Sequence, residues 1–408
     1  MVWCVRALLT QNRDFRRLFL SQLITNGADW FLMVPILVLL TDLTGGGFWG
    51  GVVLAVETGM VALLLPYAGT VADRVDRKRM MIGANLAAAV AVGGLFLVHG
   101  HWAGPIAAVA VALLAAAKAF YGPAANSALP NLVAPTELSA AMAVAGSTWG
   151  TMTVVGSSLG GVLASLVSPY VCFAAVAGLL CVSAWLSWRI HQPTQVAVAV
   201  AQERANAWPA IREALGYLKR RPRLMSLVTV KSAVGVGNGL LVAFPLLALH
   251  YGVGPMGVGL MYAVRGLGSL LGPFVLRKVL NRSEWLLPGL SISMAAYGVA
   301  YLAVAAVDWF PIALLGIFVA HAAGGGNWMM SSFAIQRAVP DELRGRIGAT
   351  DTMIAMIAVT ASQFVAGAFV DSVDTRALVA GCALTTLAYA GGWRVVTRRI
   401  ERRELAPA

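Results

Sequence analysis

The chain has 408 residues, 59% of them apolar and only 12% charged, with a formal net charge of +12. Soluble domains carry about 45–50% apolar and about 25% charged residues. This sequence therefore has too little polar surface for water and is suited to hydrocarbon as its solvent. Its bases fall in short clusters between apolar runs, with no basic stripe along a helix and no interleaved aromatics, which argues against nucleic acid as a partner.

Apolar stretches of about 20 residues, enough to cross a bilayer as a helix, occur at 18–42, 48–71, 80–99, 104–127, 138–167, 169–190, 223–250, 255–276, 285–306, 310–335, 344–370 and 376–394. The expected fold is all-α and integral to the membrane: twelve transmembrane helices in two pseudo-symmetric six-helix bundles. The bundles cover 1–190 and 222–408, joined by a connector over 191–221. The first stretch begins after Arg17 and exceeds the apolar core of a signal peptide, about 7–15 residues, so it reads as a span. Glycines and prolines inside spans (Pro35, Pro66, Gly146, Gly150, Pro245, Gly266) suit membrane helices, where small residues permit close approach. The four cysteines, Cys4, Cys172, Cys181 and Cys382, have no metal-ligand spacing, and no metal or cofactor is expected.

Of the 30 lysines and arginines, all but Lys118, Lys231, Arg265 and Arg376 lie at the termini, in the connections from even to odd spans, or at the span ends beside them. The positive-inside rule places those segments, and both termini, in the cytoplasm of a cell-membrane protein. The densest cluster, "DRVDRKR" at 73–79, falls between spans 2 and 3. The long polar connection contains an amphipathic stretch with Trp208, Ile211, Leu215 and Leu218 on one side and bases opposite. It reads as a helix on the lipid surface. The halves echo each other. "VAPTEL" (133–138) before span 5 returns as "AVPDEL" (338–343) before span 11, and Gly69, Arg74 and Arg79 find counterparts in Gly272, Arg277 and Arg282. Parallel six-span repeats imply a cavity between bundles near the midplane.

A charge at mid-bilayer costs about 2.5–3.5 kcal/mol on insertion scales and marks function. Six ionisable residues qualify: Asp29, Glu57, Lys118, Lys231, Arg265 and Asp351. Asp29 and Glu57 lie at comparable depth on consecutive antiparallel spans, and both are candidate proton carriers, Asp29 foremost. Arg265 keeps its proton, so it is a fixed counter-charge or an anion contact. Lys118 and Lys231 either pair at a gate or snorkel to the inner surface. Asp351 is near enough to the loop before span 11 to pair with its arginines. Trp149 and Trp328 are candidates to line a cavity for a flat apolar substrate, with lipid or core packing as the alternative. His99, His101, His250 and Asp308 read as interfacial. No G-x-x-x-x-G-K-[ST] loop occurs, so energy would come from a gradient. No catalytic constellation points to an enzyme.

The loop after span 2 resembles the signature G-x-x-x-D-R-x-G-R-R of the major facilitator superfamily, here Gly69, Asp73, Arg74, Arg77 and Lys78, with Asp76 where glycine is usual. "NRDFRRLFLSQLITNGADWF" (12–31), "FYGPAANSALPNLVAP" (120–135) and "VPDELRGRIGAT" (339–350) resemble its drug and siderophore exporters, the branch that includes macrolide efflux pumps. The resemblance implies that Asp73 and the loop arginines close the inner side against the start of span 11 in the outward-open state. A carboxylate there is favoured by the helix dipole; the alternative is a loop that only fixes topology. Span 5 keeps Gly156, Gly160 and Gly161 of the exporter motif for close packing, but lacks its proline and has Ala143 and Met152 in place of earlier glycines. The implied function is secondary transport by alternating access: proton-coupled export of a small amphipathic drug, metabolite or siderophore-like compound by a monomer. Uptake or lipid movement on the same fold, or a membrane sensor without turnover, are the alternatives.

Overall fold

In hydrocarbon every backbone N–H and C=O must find a partner within the chain, and helices achieve this locally. The computed structural model describes residues 8–195, 207–280 and 285–405, and every regular element among them is helical. Spans 1 to 6 are Arg13–Thr44, Phe48–Arg74, Arg77–Gly94, Ala103–Ala128, Leu138–Leu166 and Pro169–Trp188. A short helix, Ala207–Lys219, leads to span 7, Pro222–His250. Gly254–Leu280, Leu286–Ala306, Phe310–Ala338 and Asp341–Phe369 follow as spans 8 to 11, then a final helix, Thr375–Leu405. Among the described residues eleven helices are long and apolar enough to cross a membrane. The final helix is as long but less apolar, because its last part reads "RRIERREL".

Local chemistry sets the boundaries. The Asn12 side chain accepts the Phe15 N–H at 2.9 Å, capping span 1. It also donates to the Leu132 carbonyl at 2.6 Å, which ties that cap to the segment after span 4. Gly45, at φ 72°, ends the helix in the left-handed conformation. Asp76, where the resemblance leads one to expect glycine, accepts the Arg79 N–H at 2.7 Å and caps span 3. Span 7 is irregular. It passes through a turn at Val230 and a 3₁₀ segment at Asn238–Ala243. There the Gly239 N–H donates to Ser362 Oγ at 2.6 Å instead of to its own helix.

The amphipathic part of the connector is a helix, Ala207–Lys219, and the buried part of its apolar side is covered by protein. Ala214 and Leu218 are buried with Leu224, Leu287, Ile347 and Trp393, Ile211 is also buried, and Glu213 pairs with Arg346 of span 11 at 2.5 Å. Trp208, expected on the apolar side, is exposed. An apolar stripe in sequence does not distinguish protein from lipid as its cover.

The packing repeats with an offset of six spans. Span 1 packs on 5 and 6, span 2 on 4, and span 3 on 4 and 6. In the same way span 7 packs on 11 and the final helix, span 8 on 10, and span 9 on 10 and the final helix. The halves meet through two related pairs, span 2 with 11 and span 5 with 8. Both meetings are backbone on backbone at the end away from the basic loops. A Cβ on Gly51 would lie 2.5 Å from the Gly367 Cα, and one on Gly161 would lie 2.7 Å from the Gly259 Cα. Toward the basic end, Gly69 of span 2 and Gly345 and Gly348 of span 11 would meet nothing within 4 Å.

This asymmetry is testable. Gly51→Leu forces side-chain volume between two backbones, at about 1–3 kcal/mol, and is expected to lower the melting temperature of the purified protein by a few degrees. Gly69→Leu should leave it unchanged. Equal effects would contradict the close approach.

Candidate functional site

The first half encloses a cavity of about 300 Å³ lined from spans 1, 2, 4 and 5. Asp29, Glu57, Lys118 and Trp149 all lie on its wall, with Thr25, Asn26 and Met33 beside them. A buried polar network fixes the rotation of span 1 that presents Asp29 here. Ser21 Oγ bonds Tyr121 OH at 2.7 Å and Ser187 Oγ at 2.9 Å, Thr25 Oγ1 bonds Ser183 Oγ at 2.8 Å, and Asn85 donates to Ser183 at 2.9 Å. Asn26 donates to Thr148 at 3.0 Å and carries the register across to span 5.

The two acids of this cavity differ. Asp29 is ion-paired with Lys118, so Lys118 does not snorkel to the surface. The pairing offsets the desolvation that either charge would otherwise suffer alone. Glu57 is half-buried and has no ion pair or hydrogen bond among the described residues.

Arg265 is not among the lining residues. Its guanidinium lies 5.1 Å from the centre of the Trp30 ring, a cation–π arrangement. Trp30 stands edge-on to Trp149 at 5.7 Å and tilted to Tyr262 at 6.3 Å. These rings form an aromatic wall across spans 1, 5 and 8. The Nε and Nη1 of Arg265 are buried with no hydrogen-bond partner among the described residues.

Lys231, Trp328 and Asp351 form a separate centre in the second half. Lys231, 1% exposed, pairs with Asp351, 4% exposed, donates to Ser332 Oγ at 2.8 Å and lies 5.2 Å from the Trp328 ring centre. One expectation is thereby corrected, since Asp351 does not pair with the loop arginines; of the two alternatives for Lys231, the structure has the pairing. Trp328 packs on that lysine and is not a wall of the cavity around Trp149. In a span that is apolar all round, sequence periodicity does not tell which way a single lysine faces.

The loop residues bind locally. Arg77 donates to the carbonyls of Ser127 at 2.7 Å and Thr194 at 3.2 Å, and Lys78 to Ile190 at 2.7 Å, near the ends of spans 4 and 6. Arg74 is exposed, and the Asp73 side chain lies outside the described residues. Gly156 and Gly160 seat span 5 on span 1: a Cβ on Gly156 would lie 2.9 Å from the Gly27 oxygen, and one on Gly160 would overlap the Phe31 carbonyl. At the opposite ends, His99 meets Tyr170 OH at 2.6 Å, and Asp308 pairs with Arg376 at 2.7 Å and lies 3.2 Å from His250.

Two residues escaped the sequence reading. His321 in span 10 is buried and bonds Tyr301 OH at 2.8 Å, with Tyr297 edge-on at 5.3 Å; as an ionisable group inside a span it met the same criterion as the other six. Asp371, just past span 11, accepts N–H bonds from Gly47 at 2.6 Å and Phe48 at 3.1 Å. A carboxylate from the second half thus caps the start of span 2. Nothing in the sequence signals a cap supplied from so far along the chain.

Helix packing repeated at an offset of six spans, with a charged cavity inside the first half, is the build of a membrane transport protein. The Major Facilitator Superfamily model matches residues 18–354, and the chain belongs to that superfamily. It is 25% identical over 391 residues to an uncharacterized MFS-type transporter, YfiS, of Bacillus subtilis (strain 168), covering 93% of this chain and 92% of that one. Over 360 residues it is 24% identical to the enterobactin exporter EntS of Salmonella typhi, covering 84% and 82%. A bacterial homolog of the human lysosomal transporter Spinster, in its inward-facing and unoccupied conformation, matches with a TM-score of 0.74 at 14% identity, covering 98% of this chain and 100% of that chain. That likeness is one of fold.

Removing one member of a buried ion pair strands the other and costs about 3–5 kcal/mol. Lys231→Ala and Asp351→Ala should each depress thermal stability and membrane level strongly, whereas Lys231→Met with Asp351→Leu should recover most of the loss. A double variant worse than either single one would contradict the pairing.

Proposed function

We propose that the protein is a secondary active transporter that exports a small amphipathic compound in exchange for protons. It works by alternating access between two six-helix bundles, residues 1–190 and 222–408, linked by 191–221. The observation that carries this reading is the unequal meeting of spans 2 and 11: backbone contact at one end and open space around the glycines near the other. With the basic loops and both termini in the cytoplasm of a cell-membrane monomer, this is the inward-open state, and the cavity is loaded from inside.

Glu57 is the better proton carrier of the two acids, which reverses the order expected from sequence. Asp29 has Lys118 in contact and is held as an ion pair. Glu57 faces the cavity without a paired cation, so a proton and a cationic substrate group compete for it. That competition is the simplest basis for antiport.

Asp371 supports the switching element. In this state it caps the start of span 2 on the outer side. Asp73, at the other end of span 2, would cap the start of span 11 on the inner side when the protein faces outward. One helix pair then carries two reciprocal latches, each a carboxylate at a helix N-terminus, worth about 0.3–1 kcal/mol in the exposed case.

The test is reconstitution in vesicles with an internal pH dye and a panel of lipophilic cationic dyes. Transported dyes should drive counter-movement of protons in the wild type. Glu57→Gln should abolish proton movement while downhill dye exchange persists, and Asp29→Asn should lose transport through the stranded Lys118. Proton movement at the wild-type ratio in Glu57→Gln would overturn the assignment. Asp371→Asn should raise the labelling rate of cysteines placed along the outer mouth. An unchanged rate would reduce Asp371 to a loop contact.

A further inference from the structure

Most charges near the midplane are matched within their own half: Asp29 with Lys118, and Lys231 with Asp351. Two are not. Among the described residues Glu57 on the first half has no paired cation, and Arg265 on the second half has two buried N–H groups without acceptors. An aromatic wall links their surroundings: Arg265 lies over Trp30, which meets Trp149 on the wall of the cavity that Glu57 also lines.

Leaving a buried donor without an acceptor is costly, more so for a charged group. Such a group is suited to an acceptor that comes and goes. A guanidinium presents a planar fork that matches a carboxylate in two parallel bonds. Packing Trp30 beneath it restricts its freedom; its Nε and Nη1 are closed off in this state and would meet an anion only as the junction between the halves moves. Glu57 asks for the opposite charge. Trp149 offers a flat apolar surface on the cavity wall.

We infer that the substrate is an aromatic ampholyte, with its ammonium at Glu57, its carboxylate on Arg265 and its flat body against Trp149 and Trp30. This rests on the reading of the cavity as the transport site and adds the chemical class of its occupant. A lipophilic cation without an acid would engage the first half alone. An ampholyte engages spans 2 and 8 together, so its binding energy differs between states in which the halves stand differently. That difference is what allows a ligand to shift the equilibrium.

The experiment uses four naphthalene compounds: one with an aminomethyl group and a carboxylate at opposite ends, one with each group alone, and one with neither. Binding is read by tryptophan quenching in the purified full-length protein, and transport by counterflow in vesicles. In the wild type the ampholyte should bind about tenfold or more tighter than either singly charged compound, the scale of one charge-assisted bond. Arg265→Gln should bring the ampholyte down to the level of the amine. Glu57→Gln should bring it down to the level of the carboxylate. Arg265→Lys, which keeps the charge and loses the fork, should fall between wild type and Arg265→Gln. Equal wild-type binding of the amine and the ampholyte overturns the inference and leaves the cavity as the site for a cation. If none of the four quenches or exchanges, the cavity reading itself fails, and the inference with it.

Discussion

Glycine facing glycine is the contact on which the arrangement of the two halves depends. Lipid tails are as apolar as leucine, so helices in a bilayer associate through close packing and polar contacts. Here the halves join through spans 2 and 11 and spans 5 and 8, and each junction brings two backbones together at Gly51 with Gly367 and at Gly161 with Gly259. The consequences run inward along the same helices. Thr153 fills the place of the missing side chain at Gly266, which sets the adjacent Arg265 at the junction. Gly156 and Gly160 seat span 5 on span 1 and thereby bring Trp149 to Trp30. The aromatic wall follows from small residues on the helices that carry it.

The distribution of charge follows the same division. Each buried ion pair lies within one half, so the halves can move relative to each other without separating a pair in a medium of low dielectric. Breaking such a pair would strand a charge at several kcal/mol, too large a barrier for a conformational change repeated every cycle. In the proposed cycle the groups that change partners are Glu57 and Arg265, while Lys118 and Lys231 stay in their ion pairs.

Much of this was legible in the chain, for identifiable reasons. Span positions follow from length and apolarity alone, and the first and last residues of spans 5, 6 and 9 fell within one or two of the expectation. The intramembrane acids and bases stood out because each is expensive there, and Asp29, Glu57, Lys118 and Trp149 do share one cavity. The pairings were harder to read. Lys231 meets Asp351 and not lipid headgroups because span 7 is enclosed by other helices, and helices apolar on all sides carry no record of their orientation. The connector's apolar stripe was read correctly as a stripe, but the buried part of it has protein as its cover. His321 was overlooked between two alanines in span 10, although its type and depth were sufficient to mark it. Asp371 was out of reach, since a cap supplied 323 residues away leaves no local pattern.

The pairing of Lys231 with Asp351 also bears on how the chain is assembled. The two residues are 120 positions apart, on the first and fifth spans of the second half. Synthesis at about 5–20 residues per second separates their appearance by roughly 6–24 seconds. Through that interval an ammonium group sits in a newly inserted helix whose counter-charge has not yet been made. It must draw on headgroups, on water carried into the bilayer or on the insertion machinery. The second half therefore cannot settle span by span. The counter-charge of span 7 arrives only with span 11, so this pairing is completed late in the synthesis of the second half.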